Sequence, residues 1–474
     1  MASKSKLLSG PIIVLGLFSF LSSLSGESTN LALPNISQAL QITNNQATWI
    51  VQVGLITTTI LLVAFGHLGD MISKEFVFLI GGIFFTLGSL VNGLAPGLTI
   101  LLLGRVVQAI GSAMIMANSI GITTELSTPK NRGELLAITS MFISVGAISG
   151  PAIGGLILSF TSWRLIYLIN VPLGILFILI GLKVFTFPKI SVATVKKSLA
   201  GANWFGQIIF SVGIIVLSIS SLFFQNPKLS YLVGIAAFIL GAVLTIYSFM
   251  QDDHSQTPWI SPTILRNKPF VFSMFALFLA MLVNVASNIL LPFYLQSFNG
   301  ISPLIAGLIM ILQSSVMLFV SPISGRLADR IGSGKLIIAG LLVLAVSQIG
   351  YTMFPLKFNW LLVLLPILLN GVGMGMFLAP NNSLAISYVD KSLTGVAGSL
   401  TSFFRTIGMS LGITIASTVL FAQLPGVRYI TPQLGTTFLT AFHHVFLLMT
   451  GLSLIAAILS LYLLKWEKER ALKN

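Results

Sequence analysis

The 474 residues are 55% hydrophobic and 8% charged, with a mean hydropathy of +0.99, a balance that excludes a water-soluble globular chain. The absence of cysteine excludes disulfides, thiolate catalysis and Cys-based metal sites. The formal net charge of +14 reflects membrane topology rather than a nucleic-acid partner, because the basic residues lie in short loops between apolar runs.

Apolar runs of about 20 residues, the length that crosses a hydrocarbon core of about 30 Å, fall near residues 11–33, 47–67, 76–95, 99–122, 134–159 and 163–185. Two more lie near 203–223 and 230–250, followed by the polar break Gln251-Asp252-Asp253-His254-Ser255-Gln256. Six others follow near 270–292, 303–324, 335–354, 359–379, 394–421 and 441–464. Lys4 and Lys6 ahead of Pro11 to Leu24, with the small residues Ser23 to Gly26, imitate a secretory signal. The run continues through Glu27 and Asn30 to Pro34, however, so it reads as the first of fourteen spans.

An even number of spans places both termini on one side. Nineteen of the 25 basic residues fall on that side, four (Arg164, Lys228, Lys357, Arg428) on the other, and two (Arg105, Arg405) within spans. The positive-inside rule therefore puts both termini in the cytoplasm. The long connection after the sixth span carries Lys183, Lys189, Lys196 and Lys197, a topology signal and a contact for lipid headgroups.

Two blocks of six spans repeat each other. Gly66-His67-Leu68-Gly69-Asp70 recurs as Gly325-Arg326-Leu327-Ala328-Asp329, and Asn30-Leu-Ala-Leu-Pro34 as Asn288-Ile-Leu-Leu-Pro292. Gly133, Ser140, Phe142, Gly146 and Gly150 match Gly395, Ser402, Phe404, Gly408 and Gly412 at a constant offset of 262. The organisation is therefore an all-α polytopic membrane protein with a six-helix bundle at 1-190, an inserted helix pair at 191-256 and a second six-helix bundle at 257-474. Repeats of this kind, with a pathway between them, underlie alternating access in many secondary transporters.

With these motifs the chain resembles the major facilitator superfamily, and within it the fourteen-helix drug:proton antiporter branch, over essentially its whole length. The family's loop motif GxLaDrxGrk is matched by Gly66, Leu68 and Asp70, and again by Gly325, Leu327, Asp329, Arg330 and Gly332. The first copy has Met71, Ser73 and Glu75 where Arg, Gly and a basic residue are usual. The family's antiporter motif is matched by Gly146, Gly150, Pro151, Gly154 and Gly155, small residues that let helix backbones approach, with a Pro that bends the helix. Trp163-Arg164-Leu-Ile-Tyr-Leu-Ile-Asn170-Val-Pro172-Leu-Gly174 looks like the WRWxFxINxPxG signature of the fourteen-helix exporters. The resemblance implies that Asp70, Asp329 and Arg330 form a conformational latch. It also links Arg105, which stands beside Gln108 in the fourth-helix motif, to proton coupling; a structural role bonding neighbouring helices is the plainer alternative. Arg405 is a similar intramembrane cation with weaker family support.

Glu27 is the one carboxylate distant from every aqueous loop. A charge at bilayer depth costs about 2.5 to 3.5 kcal/mol on insertion scales, so it marks a functional site by default. Family members carry an Asp two positions earlier, where this chain has Ser25, and a shift of two residues turns a side chain to nearly the opposite helix face. Glu27 shares a face with Ser23 and Asn30. A carboxylate facing a partly dry cavity ionises less readily than in water. Proton and cationic substrate then compete for one site, which suffices for antiport. The plainer reading is a wetted, inert Glu27 near the outer surface.

Asn30, Gln52, Gln108, Asn284, Asn288 and Gln313 are candidates to line a substrate cavity. Interhelical hydrogen bonding is an equal reading for Gln52, Asn118, Asn284, Asn288, Gln313, Asn370 and Asn381. Adjacent His443 and His444 point about 100° apart, against a two-His metal site, and no phosphate-cradling GxxxxGK[ST] occurs. No cofactor, metal or catalytic residue is expected. The expected protein is a monomeric, proton-coupled exporter of amphipathic, cationic compounds in the cytoplasmic membrane, whose partners are a small-molecule substrate, protons and the lipid bilayer. The rivals are a transporter of a metabolite, lipid or peptide, and a non-transporting receptor or scaffold on the same fold.

Overall fold

The computed structural model describes residues 10–127, 131–187, 203–225, 230–254, 264, 266–389 and 394–471. Lys4, Lys6, Lys189, Lys196, Lys197, Lys228, Ser255, Gln256 and the expected domain boundaries at 190/191 and 256/257 lie outside the described residues. Fourteen helices are long and apolar enough to span a bilayer, and no strand occurs among the described residues. They are α1 (Gly10–Ala39), α2 (Asn44–Met71), α3 (Lys74–Leu94), α4 (Leu98–Glu125), α5 (Arg132–Phe160), α6 (Arg164–Val184) and α7 (Trp204–Gln225). The others are α8 (Tyr231–Asp253), α9 (Lys268–Phe298), α10 (Pro303–Ile331), α11 (Ser333–Tyr351), α12 (Trp360–Ser387), α13 (Thr394–Ala422) and α14 (Gly435–Ala471).

Most helices extend beyond the apolar runs that signal them, because polar residues continue the backbone ladder and a proline removes only one bond from it. α1 carries Pro34 inside it and ends at Ala39. A capping box then starts α2: Thr43 Oγ1 accepts from the Gln46 backbone N–H at 3.1 Å, and Gln46 Oε1 accepts from the Thr43 N–H at 2.9 Å. α6 breaks at Ile169, ahead of Pro172, which has no backbone donor. In α9, Pro292, the repeat partner of Pro34, is followed by a π-helical turn over Phe293–Phe298.

The repeat seen in the residues is also a repeat of packing. α1 lies on α5, α2 on α4 and α3 on α4, and the same pairs recur as α9 on α13, α10 on α12 and α11 on α12. Glycine makes these approaches possible. A Cβ at Gly111 of α4 would meet the backbone of Gly81 and Phe85 in α3, and a Cβ at Gly373 of α12 would stand 2.7 Å from the Leu344 backbone nitrogen of α11.

Two seams join the halves, α5 on α10 and α2 on α13. The inserted pair α7–α8 lies across the second seam. Gln207 of α7 donates to the Ile60 carbonyl of α2, while Phe210 packs on Phe403 of α13 and Phe249 of α8, with ring centroids 5.5 and 5.9 Å away.

Because α3 offers backbone rather than a movable side chain at Gly111, Gly111→Ala is expected to cost about 1–3 kcal/mol by overpacking. Gly451 faces open space, so Gly451→Ala is expected to be neutral or slightly stabilising. Thermal denaturation in detergent, read by intrinsic fluorescence, checks the pair.

Candidate functional site

Glu27 stands 12 residues before the end of α1 at Ala39, about 18 Å along the axis. That is nearer mid-span than the apolar run ending at 33 implies, since the helix gains six residues beyond it. The side chain is half-buried, and its Oε2 accepts a hydrogen bond from Asn30 Nδ2 at 3.2 Å, realising the expected shared face. No ion pair among the described residues includes Glu27.

The glycine ridge of α5 lies directly against this residue. A Cβ at Gly150 would stand 2.6 Å from Glu27 Cβ, and one at Gly154 would stand 3.1 Å from Ser28 Cα. Ser28 Oγ donates to the Gly150 carbonyl at 2.8 Å, a polar tie between α1 and α5 at the point of closest approach. The other side of the same segment meets the second half: Gly307 of α10 abuts the Pro151 carbonyl, and a Cβ at Gly155 would stand 2.6 Å from the Pro303 carbonyl oxygen. Gly146, Gly150, Pro151, Gly154 and Gly155 thus join three helices, α1, α5 and α10.

Ser25 points to the other side of α1, into a buried polar network. Gln108 Nε2 donates to Ser25 Oγ at 3.2 Å and to Ser89 Oγ at 2.9 Å, and Asn170 Nδ2 donates to Ser25 Oγ at 3.1 Å. Gln108 Oε1 accepts from Asn92 Nδ2 at 3.0 Å and from an Arg105 guanidinium nitrogen at 2.7 Å. Arg105 Nε donates to the Ile50 carbonyl at 2.9 Å. Arg105 and Glu27, expected to work together, are thus held by different partners. Arg105 fastens α4 to α2, and through Gln108 to α1, α3 and α6.

The remaining candidates divide. Gln52 donates to Thr414 Oγ1 across the α2–α13 seam at 2.6 Å. Gln313 donates to Asn284 Oδ1 at 2.8 Å, linking α10 to α9, and Asn288 is half-buried on the same helix. Asn118 and Asn381 bond the Phe65 and Ser273 carbonyls on neighbouring helices, and Asn370 bonds Ser287 at the long distance of 3.5 Å. The two His rings serve different partners, His443 facing the Phe354 carbonyl and His444 facing Gln423.

The latch residues are not brought together. Asp70 pairs with Lys74 at 2.6 Å, and Lys74 pairs with Glu125 at 2.6 Å, a cluster confined to α2, α3 and α4. Asp329 and Arg330 are exposed and belong to no ion pair among the described residues. A neighbouring cap escapes sequence reasoning: Glu467 of α14 accepts the backbone N–H groups of Ser333 and Gly334 at 2.8 Å each, an anion on the positive end of α11.

A set of hydrogen bonds between the halves lies in the part remote from the termini. Asn35 Nδ2 donates to Gln296 Oε1 at 2.7 Å, and Gln296 Nε2 donates to the Leu31 carbonyl at 2.8 Å. The backbone N–H groups of Ile430 and Asn44 bond Asn44 Oδ1 and the Arg428 carbonyl at 2.7 and 3.0 Å. These polar ties have no periodic signal, because each joins loops or helix ends far apart in the chain. Toward the termini, Ile120 of α4 lies 3.2 Å from a Cβ built at Gly398 of α13.

Residues 15–413 match the model of the Major Facilitator Superfamily. The chain is 27% identical over 412 residues to the riboflavin transporter RibZ of Clostridioides difficile, an alignment covering 87% of this chain and 88% of RibZ. It is 26% identical over 419 residues to the multidrug resistance protein Stp of Mycobacterium tuberculosis, covering 87% of this chain and 76% of Stp. Its fold resembles a bacterial homologue of the human lysosomal transporter Spinster, crystallised inward-facing and occupied, with a TM-score of 0.65, 15% identity and 96% of each chain covered.

Since the natural chain has no cysteine, a pair introduced as Asn35→Cys and Gln296→Cys reports cleanly on the remote seam. It is expected to cross-link under mild oxidation in the closed state, and to abolish transport until reduced. Gel mobility with and without reductant measures it.

Proposed function

The chain belongs to the major facilitator superfamily of membrane transporters, and on that premise we propose that it is a proton-coupled exporter of amphipathic compounds working by alternating access. In this reading both termini are cytoplasmic, as the distribution of basic loop residues favours. The seam tied by Asn35, Gln296, Asn44 and Arg428 then closes the outer side. The similarity to a multidrug resistance protein supports export as the direction and amphipathic molecules as the cargo.

One observation carries the proposal: the half-buried Glu27 sits against Gly150 of the segment whose other side closes on α10. An ionised carboxylate there draws water and a cationic group of the substrate toward the α1–α5 contact, whereas the neutral acid packs as a polar but uncharged side chain. Because α1, α5 and α10 touch through glycines with almost no slack, a change in how Glu27 is solvated is felt at the outer seam. Proton entry from outside and substrate release to outside become alternative occupants of one closing surface. Arg105 acts on this by fixing the α1 helix from its opposite face, through Gln108 and Ser25. Asp70 holds the terminus-side ends of α2, α3 and α4 as one body.

A second reading rests on the similarity to a riboflavin transporter at 27% identity. Here the same cycle moves a physiological metabolite.

The test uses inside-out membrane vesicles made acidic inside, with lipophilic cations and neutral amphiphiles added in turn. The expected result is proton release from wild-type vesicles on adding a substrate, and none from Glu27→Gln vesicles that still bind it. Coupling that persists in Glu27→Gln places the proton site elsewhere. A fully inserted wild type that moves protons with no amphiphile but does so with a metabolite favours the second reading.

A further inference from the structure

Two cations lie within spans, and the structure treats them differently. Arg105 is buried and bonded to a backbone carbonyl and to Gln108. Arg405 of α13 has no hydrogen bond and no ion pair among the described residues. It is 17 residues from the end of α13 at Ala422, about 26 Å along the axis, beyond the reach of the loops at that end.

The neighbours of α13 fix where Arg405 points. None of residues 396–422 is exposed, so a half-buried side chain on this helix looks into the bundle and not into lipid. Gly398, seven residues earlier and so on the same stripe after two turns, approaches Ile120 of α4 in the other half. Gly412, seven residues later, approaches Leu282 and Val285 of α9. Phe403, on the other side of the helix, packs on Phe210 of the inserted pair. Arg405 therefore stands between α4 and α9, in the space where the halves face each other. By the repeat offset of 262, Gly412 lies level with Gly150, the glycine against Glu27. Arg405 is seven residues, about 10 Å, nearer the terminus-bearing end.

An arginine kept in that space without a partner is a fixed donor fork awaiting an acceptor, and guanidinium matches the planar oxyanions of carboxylate and phosphate. We propose that Arg405 is a substrate-binding residue that holds an oxyanionic group, a carboxylate or phosphate, of the amphiphile carried. This rests on the exporter reading and narrows its substrate class: a cationic group drawn to Glu27 and an oxyanion held by Arg405 are together satisfied by an amphoteric molecule. Ile143 occupies the equivalent position in the first half, so the site is single and orients its ligand across the membrane.

The probes are rhodamine B, with a free carboxylate beside its cationic xanthene, and its ethyl ester, in which that carboxylate is masked. Binding of each is measured by fluorescence anisotropy on the full chain in phosphatidylcholine nanodiscs, for wild type, Arg405→Lys and Arg405→Gln. The expected result is a preference of about tenfold for the acid over the ester in the wild type. It should be reduced in Arg405→Lys and lost in Arg405→Gln, with ester affinity unchanged throughout; that constancy also shows the variants are folded. A wild type that binds both dyes equally, or a preference that survives in Arg405→Gln, overturns the inference. So does an acid preference competed away by phosphatidylglycerol, which assigns the cation to a lipid headgroup. Proton release from acid-inside vesicles separates this from the exporter reading. Release driven by the ester without any acid preference leaves the exporter standing and removes the Arg405 site. An Arg405-dependent acid preference with no proton release by either dye does the reverse.

Discussion

The tightest constraint in this molecule is steric: one helix, α5, must touch α1 on one side and α10 on the other at backbone distance. Gly146, Gly150 and Gly154 form the first contact, and Pro151 and Gly155, with Gly307 opposite, form the second. In lipid, where apolar side chains gain nothing by leaving the solvent, such close approach through small residues is what holds helices together. It also leaves no soft layer between the halves. Glu27 lies in the first contact, and packed helices of this kind have discrete arrangements rather than a continuum.

The two halves share this architecture but not its chemistry. In the first, Gln108 gathers Ser25, Ser89, Asn92 and Arg105 into one network, with Asn170 joining at Ser25. The buried cation thereby has acceptors on two helices. In the second, Asn370 occupies the place of Gln108 and Ile367 that of Arg105, at the same offset of 262. The neighbouring Gln348 is buried with side-chain polar atoms that no described residue satisfies. The first half is therefore braced internally by charge-assisted bonds, which are about twice as strong as neutral ones. The second carries instead a dense aromatic cluster, with Phe442 within 4.7 to 5.7 Å of Tyr294, Phe354, Phe438 and Phe446.

The inserted pair adds a further asymmetry. α7 bonds α2 through Gln207 and stacks on α13 through Phe210, so it contacts both halves across one seam while α5 and α10 form the other. Any rocking of one half against the other has to slide the α7 contacts, which are mostly apolar and aromatic. Dispersion contacts of that kind tolerate sliding better than directional hydrogen bonds do.

The sequence by itself determined the span count, the repeat, the inserted pair and the identity of the residues that are expensive in a bilayer. Those follow from local rules: apolar length, loop charge, and the spacing of Gly and Pro. It also determined the Glu27–Asn30 pair, since residues three apart on a helix are neighbours whatever surrounds them. Only the tertiary structure decided which face of α1 meets α5 and which meets α4, and hence that Glu27 abuts Gly150 of α5 while Ser25 enters the polar network. It alone separated Arg105, bound by Ile50 and Gln108, from Arg405, which no described residue binds. Both arginines have the same insertion cost when read along the chain. What distinguishes them is the register of non-adjacent helices, which no local pattern encodes, because partners 55 residues apart or more meet only once the bundle has packed.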